Sequence, residues 1–108
     1  MPMYLGRFSY TSDAIKALVD NPTDRAQAAG AAVESVGGKM HGFWYAFGEF
    51  DGYFLMEAPD NTTALALSAT VARSGAIAHI ETIPLMSVEE GIEAFRKTQS
   101  ASYTPPTG

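Results

Sequence analysis

No cysteine occurs among the 108 residues, which excludes disulfides, thiol nucleophiles and thiolate metal sites. A small domain that holds together without staples suits the cytoplasm, the expected location. Charge is also scarce, at 18% of residues. That is below the usual quarter and points to surface covered by a partner. The charge present is acidic, net −5, with no basic cluster, so neither nucleic acid nor an anionic membrane is an expected partner. No apolar run is long enough to span a membrane, and MPMYLGRFSY lacks the pattern of a secretory leader. Without such a leader the sequon Asn61-Thr62-Thr63 is read as chance. Gly37-Gly38-Lys39 lacks the spacing and the following Ser or Thr of a phosphate loop, and neither a dinucleotide fingerprint nor a nucleophile elbow is present.

What is abundant is apolar and aromatic. Hydrophobic residues make up 46% of the chain, enough for one core, and the length fits one domain over residues 1–99 with a polar, proline-rich tail over 100–108. Seven of the twelve Phe, Trp and Tyr residues lie between Gly37 and Asp60, a concentration that some buried surface must absorb. This stretch reads as two strands joined by a tight turn, about Lys39 to Phe47 and Asp51 to Ala58.

Met3 to Tyr10 is apolar on both parities, as in a central strand. Thr11 or Ser12 caps a short helix carrying Ile15, Leu18 and Val19. Asn21 and Pro22 predict the start of a second helix, running to Val36, whose small face of Ala26, Ala29, Gly30 and Val33 lets it lie close to the sheet and reads as packing, not as a site. Gly37 is its expected left-handed cap. Pro59 and Asp60 leave the sheet and cap a helix from Asn61 to Ser74. Ile77 to Met86 is the fourth strand, and Pro84 near its end points to an edge position or an exit from the sheet. Ser87 and Glu90 form a capping box for a last helix to about Lys97.

This order, with its helical crossovers flanking a hairpin, predicts an α+β fold of the ferredoxin-like, split βαβ kind. The expected sheet is four-stranded and antiparallel, in order 4-1-3-2, with the helices on one face. Large apolar residues remain for the other face, so two sheets are expected to pack against each other as a dimeric α+β barrel, a homodimer or higher oligomer.

The turn near Gly48 decides which side chains share a face. A two-residue loop puts Phe47 opposite Phe50 and His41 opposite Met56. A three-residue loop, Gly48 to Phe50, puts Tyr45 opposite Tyr53 and His41 opposite Glu57. The second sorts polar from apolar better and is the one expected. It gathers Arg7, His41, Tyr45, Asp51, Tyr53, Glu57, His79 and Glu81 on the open face, and Phe8, Met40, Trp44, Phe54, Met56 and Ile80 under the helices.

The pieces Tyr10-Thr11, Pro22 to Arg25, Gly37-Gly38, the Gly48 to Asp51 run and Glu57-Ala58-Pro59-Asp60 together resemble the GYD domain family over about Tyr4 to Glu90. Phe50 stands where tyrosine is common in the name-giving motif. The resemblance implies the ferredoxin-like fold and a dimer, and it transfers no catalytic residue.

Arg7, His41, Tyr45, Tyr53, Glu57, His79 and Glu81 are the expected ligand-binding residues. His41 and His79 are the candidate acid and base, since histidine is the side chain suited to proton transfer at neutral pH. The competing reading leaves each histidine an ordinary strand residue and makes the tyrosines and Arg7 dimer contacts. No tight ligand spacing supports a metal, and no cofactor is expected. The expected function is small-molecule binding or sensing as a homodimer. The alternative is a cofactor-free isomerase, lyase or monooxygenase acting on a small, partly aromatic substrate.

Overall fold

The computed structural model describes residues 1–107. The strands are β1 (Met3–Tyr10), β2 (Lys39–Tyr45), β3 (Gly52–Glu57) and β4 (Ile77–Leu85). The helices are α1 (Ser12–Asp20), α2 (Arg25–Ser35), α3 (Asn61–Ala72) and α4 (Val88–Lys97), with a single 3-10 turn at Thr98–Ser100. The sheet order is β2-β3-β1-β4 and its pairings are antiparallel. This is the expected 4-1-3-2 order of an α+β, ferredoxin-like fold. The doubly apolar β1 is central, and β4, with Pro84, is an edge.

Side-chain caps set the helix starts. Thr11 Oγ1 accepts from the Ala14 N–H, Asp60 from Thr63, and Ser87 and Glu90 bond reciprocally as a capping box. Gly37 and Gly75 take φ +83° just past α2 and α3, the left-handed conformation that glycine adopts without steric cost. One expectation fails here. The second helix starts at Arg25, not at Pro22, because the Asn21 N–H bonds to Ala17 O and ends α1. Asp24, not Asn21, then accepts the Gln27 N–H at 3.0 Å.

The core lies between the sheet and the helices: Tyr4, Phe8, Phe54, Met56, Ala58, Val33, Ala64 and Leu67 are buried there. The Tyr4 hydroxyl donates to Asn61 Oδ1 at 2.6 Å, so its burial strands no polar atom. Two cross-strand pairs shape the sheet surface. Gly6 lies opposite Phe54, and Gly52 opposite Phe8. Each ring lies over its glycine, in the space a Cβ would need. Both rings therefore lie down on the sheet instead of standing up toward the helices.

The hairpin differs from the expected register. β2 pairs with β3 as Tyr45↔Gly52, Trp44↔Tyr53 and Phe43↔Phe54, then shifts at a bulge between Met40 and Gly42 to reach Lys39↔Glu57. Tyr45 is therefore on the helix side, and Trp44 takes its place on the open face. The bulge returns His41 to Glu57's side of the sheet. The cause is the connection, which is a wide Ala46–Asp51 loop and not a three-residue turn. The Ala46 N–H donates to Asp51 O, the Asp51 N–H to Phe8 O, and the Tyr10 N–H to the Asp51 carboxylate, each at 2.8 Å. This loop folds Phe50 back until it is only 4% exposed. A tight turn would have left that ring in water.

The molecule measures 56 × 38 × 22 Å with a radius of gyration of 17.5 Å. A compact chain of this length would have about 13 Å. Beyond β4, α4 buries no residue. No helix among the described residues is long and apolar enough to cross a membrane.

Candidate functional site

The structure presents two faces with different chemistry. On the open face, Arg7 of β1 lies opposite Glu81 of β4 and Tyr53 of β3. Arg7 Nε and Nη2 both donate to Glu81 Oε1 at 2.8 Å. His79 Nε2 lies 3.2 Å from the other oxygen of Glu81. The Arg7 guanidinium, with His79 behind it, holds the Glu81 carboxyl below the usual carboxylate range, and Glu81 in turn raises Arg7. The Arg7 guanidinium carbon stands 4.2 Å over the Phe50 ring, a cation–π contact. Phe50 also lies 5.7 Å from the His79 ring and 6.3 Å from Tyr53. On the β2 side, His41 Nε2 is 3.1 Å from Glu57 Oε2.

The open face thus brings together Arg7, Tyr53, His79 and Glu81, and separately His41 and Glu57. Tyr45 is not among them. Its hydroxyl is 3.4 Å from that of Tyr10 on the helix side. Asp51 is spent on the Tyr10 N–H. Phe50 was not among the expected site residues, yet it anchors the cluster. The signal was the aromatic next to Asp51 in the Gly48 to Asp51 run, whose roles here are a ring plug and a loop anchor.

The second face holds a cleft of about 690 Å³ between the sheet and the helices, within the range of small-molecule pockets. Its floor is Phe8, Tyr10, Phe43, Phe54 and Ile80. One wall is the alanine face of α2, Ala28, Ala29 and Ala32, and the other is Leu67 and Val71 of α3. Ala14, Ala17 and Leu18 of α1 close one end. The flat rings of Phe8 and Phe54 and the short alanines leave this volume unfilled. At Gly30, α2 does approach the sheet, where a Cβ would come within 3.8 Å of Met40 Cβ. The expectation that the small face of α2 serves only close packing therefore holds at Gly30 and not at its neighbours.

Among the polar residues lining the cleft, Tyr10, Ser68, Thr70 and Ser74 have partnered hydroxyls. Ser68 Oγ donates to Ala64 O at 3.0 Å and lies within hydrogen-bonding distance of Thr82 Oγ1. Tyr10 is half-buried; burial, with the Tyr45 hydroxyl adding to it, pushes its phenol well above the usual range. Exposed Arg25 lines the rim. Of the described residues lining the cleft, none is His, Asp, Glu or Lys. The cleft can hold an apolar body and hydrogen-bond one end of it, while the acid–base groups lie across the sheet. No group of three or more His, Asp or Glu that could hold a metal occurs among the described residues.

The sequence model of the GYD domain matches residues 4–95. The chain belongs to the GYD domain family. The expected resemblance is thereby established over most of the chain, and with it a family whose function is uncharacterised. No curated protein matches the chain. Among solved structures, the chain is similar to an uncharacterized NIPSNAP domain protein from Burkholderia xenovorans at 12% identity. That match covers 82% of this chain and 95% of the other, with a TM-score of 0.46.

Proposed function

We propose that this GYD domain is a small-molecule-binding module that works as a homodimer. The ligand lies in the cleft between the sheet and α1, α2 and α3, and the open sheet face meets a second copy. The observation that carries the reading is the 690 Å³ cleft with an aromatic floor and alanine walls. Its chemistry suits a largely apolar, partly aromatic molecule with one hydroxyl or carbonyl end directed to Tyr10. The absence of a carboxylate, imidazole or amine among the described lining residues favours binding over acid–base chemistry there. The open face supports the pairing. Trp44 on it is 55% exposed, and Met3, Leu5, Leu55 and Ile83 are half-buried around it, a large apolar area for a lone monomer to leave uncovered.

The test is binding of 2-naphthol followed by amide NMR shifts, with Ala32→Phe to block the cleft. The reading predicts saturable shifts around Ala29, Ala32 and Val71 that vanish in the folded variant. Saturable binding that survives Ala32→Phe would contradict it.

A second reading is supported by the linked Arg7, Glu81 and His79 groups. Facing a second sheet, they would be shielded from water, and His79 or His41 could act as a base on a substrate held there, with Tyr53 and Glu57 as its other contacts. Under that reading His79→Ala abolishes turnover. Under the favoured one it leaves ligand binding in the cleft intact.

A further inference from the structure

We infer that α4 is an arm that packs on a second copy of this chain and not on its own domain. The inference rests on the homodimer proposed above and adds the element that completes its interface.

Helix α4 has ten residues and buries none of them. A helix that short is marginal in water by itself and owes its stability to packing of an amphipathic face. Gly91 in its middle weakens it further. Its caps are complete, yet its apolar side has no cover. Val88, Ile92 and Phe95, spaced i, i+4 and i+7 on one side, are 80%, 43% and 73% exposed. Glu89, Glu93 and Arg96 lie off that side, where water can reach them in an assembled arm.

The helix cannot fill the cleft of its own chain. Only Met86 and Ser87 join it to β4, so its start is fixed beside Leu85, which pairs with Met3. The cleft touches β4 at Ile77 and Ile80, roughly 23–33 Å back along the strand from Ser87. Ten helical residues reach about 15 Å.

A second copy is the occupant that fits, for two reasons. Leu85 ends the open face of β4, and Leu85 and Met86 are both exposed. The apolar surface therefore continues from the sheet into α4 without a polar break before Ser87, and whatever covers one end is placed to cover the other. Area is the second reason. Four strands of 6 to 9 residues give the open face a footprint of roughly 500 Å², against about 800 Å² per partner in a stable interface. The apolar side of α4 enlarges the contact. In a two-fold dimer each copy gives an arm and receives one.

The test uses the full chain in three forms: wild type, Ile92→Glu/Phe95→Glu on the arm, and Leu55→Arg on the open face. Dimer dissociation is measured by sedimentation, and amide exchange in α4 is followed as protein concentration is raised. The expected result is a wild-type dimer that dissociates at least tenfold more readily with the arm changes. The thermal midpoint of the diluted monomer should be unchanged, and α4 protection should rise with concentration. A wild-type dimer whose dissociation is unmoved by the arm changes overturns the arm alone, as does α4 protection independent of concentration. A dimer weakened by the arm changes but not by Leu55→Arg upholds the arm and overturns the sheet-face pairing. A wild-type monomer at all concentrations overturns both.

Discussion

Gly6→Ala tests whether the cleft exists because two rings lie flat on the sheet. A Cβ at Gly6 would fall within the Phe54 ring, directly across from it in the β1–β3 pairing. The ring must lift toward the helices, into the cleft it now floors. Overpacking of this kind costs about 1–3 kcal/mol. Alanine recovers roughly 0.5–1 kcal/mol of the backbone entropy that glycine loses in a strand. The net is a destabilisation of about 0–2.5 kcal/mol, or a thermal midpoint lowered by up to roughly 20 °C for a domain this size. Differential scanning calorimetry measures it. Phe54→Leu removes the ring that clashes. On the Gly6→Ala background it should be close to neutral, with a coupling of about 1–2 kcal/mol between the two sites. A rise in midpoint for Gly6→Ala, or additive effects in the double variant, would refute the stacked-ring account. The same substitution should also weaken 2-naphthol binding, because the lifted ring takes up ligand space.

Other consequences can be measured separately. Asp51→Ala removes the acceptor of the half-buried Tyr10 N–H and should cost about 1–3 kcal/mol in chemical denaturation, with Asp51→Asn costing less. Tyr10 should be the last tyrosine to ionise in an alkaline absorbance titration, and Tyr10→Phe should delete that late step. Its folded pKa lies above the unfolded one. The associated stability is therefore fully present below about pH 10 and is lost as pH rises through the raised value. Glu81 runs the other way. Its folded pKa is depressed by Arg7 and then His79, so its contribution is present above the ordinary carboxylate range, about 4.3, and is lost as pH falls through the folded value. Carboxyl NMR should show Arg7→Gln moving the Glu81 titration upward.

The sequence was most legible where local chemistry decides. Asp60, Ser87 with Glu90, Gly37 and Pro59 mark the ends of elements by capping and by backbone restriction. Central β1 and edge β4 follow from apolar residues on both parities and from Pro84. The hairpin was less legible, because its register depends on a non-local choice. Phe50 is buried only if the loop reaches across to β1, where Phe8 and Tyr10 supply the bonds that hold Asp51. Nothing within the hairpin's own sequence announces that choice, nor the bulge at His41 that restores the polar sorting after Tyr45 and Trp44 have exchanged faces. The cleft was hidden for a related reason. Alanines on α2 read as close packing, and whether they fill or leave space depends on the ring positions of Phe8 and Phe54, which Gly52 and Gly6 set from the opposite strands.

The most direct test of the binding function is to map where 2-naphthol sits on the isotope-labelled wild-type protein. The cleft account predicts saturable, one-to-one shifts confined to the floor and walls, at Ala29, Ala32, Leu67, Val71 and Ile80. Shifts gathered instead at Arg7, Tyr53, His79 and Glu81 on the open face, or no saturable shifts, would contradict it.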